Sequence, residues 1–344
     1  MNEKIEILIV HCGGEGVIKN CLQSIKKNTK DYSIMVLLNG CRDKSEELIK
    51  KSFKEVKLLK SEKLIGFSQA VNFLVKNSSK KSEYIVLLNN DVEVGKNWLE
   101  EMIKTMKKHK NCVGCQPKIK SYYKRDEFEY AGAAGGFIDV YGFPFCRGRI
   151  FNSVEKDIGQ YDDEKRIFWG CGVCLLVKRD FFIKNGMFDE DFYMYAEETD
   201  FWWRTNLNGK EIWFTPKSEI YHIGSFSVNS SKINLKKEYW TTRNHILILL
   251  KNYSILSIIK ILPQKIFLET ISALRFPKIK GIPFARSIFS IPILYITKIH
   301  KKRRFIQKNR RVNDKDIVKM MDHRSIALEY FLEGKDKFDQ IKIG

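Results

Sequence analysis

Three clusters of side chains in this sequence have types and spacing that chemistry can use. Asn89-Asn90-Asp91-Val92-Glu93 follows directly on the apolar run Tyr84–Leu88. A carboxylate just past a buried strand, flanked by amides and a second acid, can hold a hard cation against diphosphate oxygens. Asp and Asn also favour ordinary turns, so this cluster alone does not separate a site from a strand end. Between Phe188 and Arg204, the acids Asp189, Glu190, Asp191, Glu197, Glu198 and Asp200 stand among Phe192, Tyr193, Tyr195, Phe201, Trp202 and Trp203. Aromatic walls desolvate a carboxylate and raise its proton affinity, which suits a general base. On a helix Glu197 and Asp200 share a face at i,i+3, and Asp200 can pair with Arg204 at i,i+4. A helix start enriched in acids by its dipole would look much the same. The third candidate, His222, follows Glu219-Ile220-Tyr221, where a histidine is more often structural than ligating.

Those clusters need a scaffold, and residues 1–232 supply an alternation of strands and helices, the mark of an α/β layered fold. Ile5–Val10, Ser33–Leu38, Val56–Leu59 and Tyr84–Leu88 have strand length, while Val17–Ile25, a stretch through Lys51, Gly66 to Lys76, and Trp98–Lys107 have helical spacing. Asp43 with Glu46 resembles a capping box for the second helix. Residues 131–150 are rich in Gly and aromatics and read as loop and short strand. Ligands of an open parallel sheet bind outside the carboxyl ends of its strands. His11, Asn39, Asp43 and the Asn89-Asn90-Asp91 group are therefore expected around one ligand.

Residues 233–311 hold 18 Lys or Arg against Glu238 and Glu269, a net +16, whereas residues 1–232 carry only +5. A local excess of that kind points to an anionic partner for one segment. Its Lys and Arg interleave with Ile, Leu and Phe rather than with a base-stacking aromatic array. An amphipathic surface on anionic lipid is thus favoured over nucleic acid. The segment is expected to be helical, broken at Pro263, Pro277, Pro283 and Pro292. Its apolar runs, about 5 to 11 residues long, fall short of the ~20 that a spanning helix needs. Ile5–Val10 is too short for a signal-peptide core. These readings place the protein in the cytoplasm, peripheral on the inner face of the cell membrane. An apolar fraction of 44% excludes a disordered chain. Cys112/Cys115 and Cys171/Cys174 have zinc-like spacing, but they sit in apolar, β-prone stretches and read as buried thiols.

The order of motifs resembles the family 2 glycosyltransferases of GT-A fold, especially the bacterial rhamnosyltransferase-like branch. The resembling pieces are the opening strand with Cys21-Leu22-Gln23-Ser24, Asn39-Gly40-Cys41-Arg42-Asp43, Gly66-Phe67-Ser68 with Asn72, and Leu87-Leu88-Asn89-Asn90-Asp91. They continue with Gly186-Met187-Phe188-Asp189-Glu190, Tyr195-Ala196-Glu197-Glu198-Thr199-Asp200, and His222 before Gly224-Ser225, with Tyr239 to Asn244 beyond. The resemblance implies a Rossmann-like, mostly parallel sheet flanked by helices, followed by the basic helical region 233–344.

It also implies an inverting, metal-dependent transfer of a sugar from a nucleotide-diphosphate donor, dTDP-rhamnose or a UDP-sugar. The acceptor would be a saccharide hydroxyl, lipid-linked, in cell-surface polysaccharide synthesis. Asp91, matched to the Asp-x-Asp motif with Asn89 first, would ligate Mn²⁺ or Mg²⁺, and His222 would complete that set. Reading the motif one step along, as Asp91 and Glu93, keeps Asp91 in place. Glu198 stands where the family places its catalytic base, usually Asp, so either Glu198 or Glu197 takes the proton, with Asp200 on the same helix. The donor-binding set becomes His11, Asn39, Asp43, Gly66, Asn72, Asn89, Asn90, Asp91 and Gly170. A nucleic-acid-binding protein, or an inactive sugar-nucleotide-binding module, is the competing reading.

Overall fold

A computed structural model describes residues 4–224 and 235–343. Ser225, at the end of the last motif, and the expected domain boundary between 232 and 233 lie outside the described residues. Strands β1 (Ile5–His11), β2 (Tyr32–Asn39), β3 (Lys57–Ser61) and β4 (Tyr84–Asn89) run parallel in the spatial order β3-β2-β1-β4. Helices α1 (Glu15–Asn28), α2 (Ser45–Ser52) and α3 (Phe67–Asn77) form the crossovers. In α1 the buried Ile18, Cys21, Leu22 and Ile25 fall at i, i+3, i+4 and i+7, one stripe laid on the sheet. The register sets Asn89 beside Val10 and His11 beside Leu38, so the polar ends of β1, β2 and β4 meet at one edge.

Beyond β4 the sheet becomes mixed. Its further strands are β5 (Val92–Val94), β6 (Cys112–Ser121), β7 (Lys165–Ile167), β8 (Cys174–Lys178) and β9 (Glu211–His222). β8 inserts antiparallel between β4 and β6, β9 runs parallel to β6, and β5 and β7 pair antiparallel with β9. Helices α4 (Trp98–Lys108), α5 (Arg179–Lys184) and α6 (Glu197–Leu207) cover this half. The Gly- and aromatic-rich stretch forms a second, four-stranded sheet between residues 136 and 154. Cys112, Cys115 and Cys174 are buried in strands, and burial pushes the Cys112 thiol up to about 12.

The expected capping box does not form. Asp43 Oδ2 accepts from the Gly14 N–H at 2.7 Å and Oδ1 from the Ser45 N–H at 3.1 Å. Glu46 instead pairs with Lys50 and Lys60. Asp43 therefore ties the start of α2 to the glycine turn after β1.

The basic region folds as α7 (Leu235–Asn252), α8 (Ile255–Arg275) and α9 (Pro277–Asn309). Pro263 and Pro292 lie inside helices rather than breaking them, whereas the chain does break at Phe276, just before Pro277; π-turns stand over Pro277–Gly281 and, after Pro292, over Tyr295–Ile299. That continuity corrects the reading of short apolar runs. α9 has 33 residues and an 18-residue window of mean hydropathy 1.3, long and apolar enough to cross a membrane by length and composition. Ending each run at the first charge or proline missed it. One face of α9 is nonetheless seated on the protein through buried Pro283, Ser287, Ile291, Ile299, Arg303 and Ile306. The other exposes Ile282, Phe289, Ile293, Ile296 and Phe305.

Candidate active site

At the strand ends, several residues expected to touch a ligand are occupied by the protein itself. His11 is fully buried, its Nε2 2.8 Å from Ser45 Oγ and its Nδ1 2.8 Å from Asn90 Nδ2. The amide N–H of Asn90 can only donate, so Nδ1 accepts and Nε2–H donates to Ser45. Burial lowers the imidazole to about 4 despite nearby Asp43, and the ring is neutral. Asn39 pairs both ends of its amide with the Ile65 backbone, at 3.0 and 2.9 Å. Asn72 does the same to Phe188 at 2.8 and 3.1 Å, and also donates to Glu190. His11, Asn39 and Asn72, expected as donor contacts, use these groups to support the loops at the strand ends. Buried amides and imidazoles left unpaired would be costly, and these have found partners 26 to 118 residues away.

Gly170 is also a packing position. A Cβ there would lie 2.4 Å from the Ile212 side chain and 2.6 Å from that of Leu175. Gly66 has a different reason to be small, since a Cβ would come within 2.7 Å of both the ring and the carbonyl of Tyr193. It lets the loop before the acidic helix close against the start of α3. Asp43, Asn89 and Asn90 remain at the open edge, the first exposed and the other two partly so.

The metal candidates converge through strand register. His222 pairs with Val92 across β9 and β5, which brings its ring to Asp91. Its Nε2 lies 3.1 Å from Asp91 Oδ1, and its Nδ1 lies 3.3 Å from Glu129 Oε2. Neither contact has hydrogen-bond alignment. Asp91 Oδ1 and both ring nitrogens of His222 are buried atoms without a hydrogen-bond partner. Burial alone would lower the imidazole, but the Asp91 and Glu129 carboxylates overcome it and hold the ring at about 9. Orphaned carboxylate oxygen and imidazole nitrogen, facing each other, fit a divalent cation of the Mn²⁺ type. Glu93 turns away and pairs with Arg125 at 2.9 Å, so the shifted register Asp91–Glu93 does not converge. His11, Cys41 and Asp43 also place ligand atoms within 4.8 Å of one another, but both nitrogens of His11 are already engaged.

The acidic cluster divides into two functions. Asp200 is fully buried: Oδ2 accepts from Arg204 Nε and Lys251 Nζ, both at 2.9 Å, and Oδ1 from Asn252 Nδ2 at 3.1 Å. With both oxygens engaged, Asp200 braces α6. Glu197 and Glu198 differ sharply from it, each with a buried Oε2 that has no partner. Burial raises Glu198 to about 7, and burial together with the charge of Glu198 raises Glu197 well above the carboxylate range. Glu198 keeps partial exposure whereas Glu197 is 4% exposed. A carboxyl poised near neutrality can accept a proton.

The loop leading into these glutamates is strained. Tyr193, Tyr195 and Ala196 have φ of 50°, 70° and 66°, a region that side-chain-bearing residues enter at a cost. Asn244 holds it there, its buried amide donating to the carbonyls of Phe192, Met194 and Tyr195 at 3.1, 3.0 and 2.7 Å. Arg243 adds a bond to the Asp191 carbonyl at 3.0 Å. Sequence reasoning did not assign Asn244, Lys251 or Glu129 a place in the site. Arg243-Asn244 lay within the resembling stretch and could have signalled the first. Lys251 looked like one more lysine of a basic region, and Glu129 like a loop acid.

Comparison with known proteins bears on the family and the fold. The description "Glycosyl transferase family 2" fits residues 6–186, just over half of the chain. The N-acetylglucosaminyl-diphospho-decaprenol L-rhamnosyltransferase of Mycobacterium tuberculosis is 23% identical over 206 residues, 56% of this chain and 67% of that protein. The crystal structure of GalNAc-T7 with UDP, GalNAc and Mn²⁺ matches at a TM-score of 0.59 and 15% identity, covering 86% of this chain but only 58% of that one. The mannosyltransferase PcManGT from Pyrobaculum calidifontis, in complex with GDP-Man and Mn²⁺, matches at 0.52 and 11%, covering 89% and 86%. Likeness at these identities shows the fold alone, and the fold is GT-A.

Proposed function

The chain belongs to glycosyl transferase family 2, in its rhamnosyltransferase-like branch, and from that premise we propose an inverting, metal-dependent transfer of a sugar from a nucleotide diphosphate to a saccharide hydroxyl. The donor is dTDP-rhamnose or a UDP-sugar, and the acceptor is lipid-linked, as the name of the mycobacterial relative suggests. The observation that carries the proposal is the meeting of Asp91 and His222 with buried, unpartnered ligand atoms at the carboxyl edge of the sheet. Asp91 and His222 would hold Mn²⁺ or Mg²⁺, with Asn89, Asn90 and Asp43 around the donor. When bound, the cation offsets the charge that builds on the departing diphosphate.

Glu198 takes the proton from the acceptor hydroxyl. The hydroxyl oxygen bonds to the anomeric carbon from the face opposite the diphosphate, and the bond to the diphosphate oxygen breaks with its electron pair. One displacement inverts configuration without a covalent sugar–enzyme intermediate. Glu197 orients the incoming hydroxyl, while Asp200, Asn244 and the strained loop keep both glutamates in place.

The basic region 233–344 attaches the enzyme to the inner face of the cell membrane. Its support is the +16 of residues 233–311 together with exposed Leu256, Ile259, Phe267, Leu274, Phe289 and Ile296 on α8 and α9.

A panel of nucleotide sugars, screened by hydrolysis and thermal shift with Mn²⁺ and Mg²⁺, tests the activity. Calorimetry tests the metal. Asp91→Ala is expected to abolish transfer and to weaken nucleoside diphosphate binding only when Mn²⁺ is present. Equal losses with and without the cation would remove the metal role.

A further inference from the structure

An imidazole has two nitrogens, and a cation can use one of them only if the other is dealt with. Metal-binding histidines nearly always give the second N–H to a carboxylate or carbonyl, which sets the tautomer and aims the ring. In His222, Nε2 faces Asp91 and Nδ1 faces Glu129, at 3.1 and 3.3 Å. The two carboxylates thus stand on opposite sides of one ring, and only Asp91 lies on the strand-end edge where the donor binds.

Glu129 is built into that position from both sides. Its backbone N–H donates to the Ile119 carbonyl of β6 at 3.0 Å, which fixes it beside the strand that carries His222's other neighbour, Ser121. Its Oε2 also accepts from the Ala131 N–H, so the carboxylate cannot swing freely. The side chain is 13% exposed, next to an imidazole that is 8% exposed. Space for it is left by Gly224, where a Cβ would lie 3.0 Å from Glu129 Oε1 and 3.8 Å from His222 Nδ1. Gly224 has φ +66°, so a side chain there would be strained as well as crowded.

We infer that Glu129 is a positioning residue for the metal site: the contact that stands at 3.3 Å and out of hydrogen-bond alignment in the free site closes when a cation takes Nε2, Glu129 then accepts the Nδ1 proton of His222, and the Nε2 lone pair is presented beside Asp91. The inference rests on the reading that Asp91 and His222 hold the cation. Glu129 acts through the ring and touches neither the cation nor the donor.

A double-mutant cycle separates this role from its rivals. Mn²⁺ affinity is measured on the full chain by electron paramagnetic resonance for wild type, Glu129→Ala, His222→Ala and the double variant. Metal-free nucleoside diphosphate binding and thermal unfolding serve as fold controls. Glu129→Ala is expected to weaken Mn²⁺ by roughly 10- to 100-fold, as loss of such an outer partner does elsewhere. Once His222 is already Ala, removing Glu129 should change Mn²⁺ affinity by less than about twofold, because the ring it aims is gone. Glu129→Gln, whose carbonyl can still accept the Nδ1 proton, should recover most of the loss. Three results would overturn the inference: unchanged Mn²⁺ affinity in Glu129→Ala, the same loss with or without His222, or no recovery by Gln. Wild type that binds no Mn²⁺ would instead remove the metal reading itself, and this inference with it. If Glu129→Ala fails the fold controls, Glu129→Met, which fills the space without a carbonyl acceptor, carries the same comparison.

Discussion

At the scale of single residues, the neighbours Glu197 and Glu198 show how one turn of chain can hold two carboxyls in different states. Burial lifts both, and the second charge lifts Glu197 further. Glu198→Gln keeps the shape and removes the proton acceptor. Donor binding should survive while turnover falls by roughly 10²–10⁴-fold. Glu197→Gln should do less and chiefly raise the acceptor KM. If Glu197→Gln is dead and Glu198→Gln is active, the assignment moves back one residue. The pH dependence follows from the same shift. A base held at about 7 is ionised only above that pH, so the rate should rise with pH through about 7 on its acid limb. Stability runs the other way. The folded state keeps this proton up to about 7 and the unfolded chain loses it near 4.5, so stability falls as pH rises between them. Glu198→Gln should therefore be more stable than wild type at pH 8 and no more stable at pH 4, which thermal unfolding at both pH values would check.

At the scale of elements, α6 and the loop before it are held by helices from the basic region. Lys251 of α7, 1% exposed in its side chain, bridges Asp189 and Asp200 from between them. Lys302 of α9 reaches Asp189 and Asp191, and Lys298 pairs with Asp191 at 2.7 Å. Burial would raise Asp189, but Lys251 and Lys302 hold it well below the usual carboxylate range. Removing one member of a buried ion network leaves charge without compensation. Lys251→Met should cost about 3 kcal/mol in denaturant unfolding, since Asp189 and Asp200 each keep one other cation. Lys298→Ala, at an exposed pair, should cost less than about 1 kcal/mol. Comparable losses at the two positions would show that water reaches the inner network. The arrangement also explains why the basic lysines were misleading in sequence: some face outward to solvent, while Lys251 and Lys302 are structural to α6 and the loop before it.

At the scale of the whole molecule, the question is whether α9 crosses a membrane or lies on it. Its hydropathy permits crossing. Its contacts favour lying flat. Ser287 Oγ donates to the Tyr239 carbonyl at 3.2 Å, Arg303 donates to the Leu250 carbonyl at 2.7 Å, and Lys302 pairs with Asp189 in the loop before α6. A spanning helix would have to give these up and carry Arg286 and Lys298 into hydrocarbon. We expect the intact protein to sediment with anionic vesicles, to bind less as salt rises, and to be released by alkaline carbonate. Tight binding to neutral vesicles at high salt, or none to anionic ones, would refute surface docking, and resistance to carbonate would show that α9 crosses. Comparable affinity for DNA would restore the nucleic-acid reading.

The alternation of strands and helices, the strand ends that carry polar clusters and the acidic–aromatic helix could all be read from sequence, because each depends on neighbours along the chain. A buried strand is a contiguous apolar run, a helix repeats every few residues, and a motif keeps its spacing wherever it folds. Roles that depend on a distant partner could not be read this way. The bonds by which the amides of Asn39 and Asn72 hold Ile65 and Phe188 are of that kind. So is the hold on the Asp200 oxygen by Lys251, 51 residues later. Glu129 carries no signal until the register of β9 places His222 between it and Asp91. Composition could count the charges of the last helices, but only tertiary packing decided which lysines face inward and which apolar side chains have nothing over them. A polar side chain is defined by what satisfies it, and that partner is chosen by the fold.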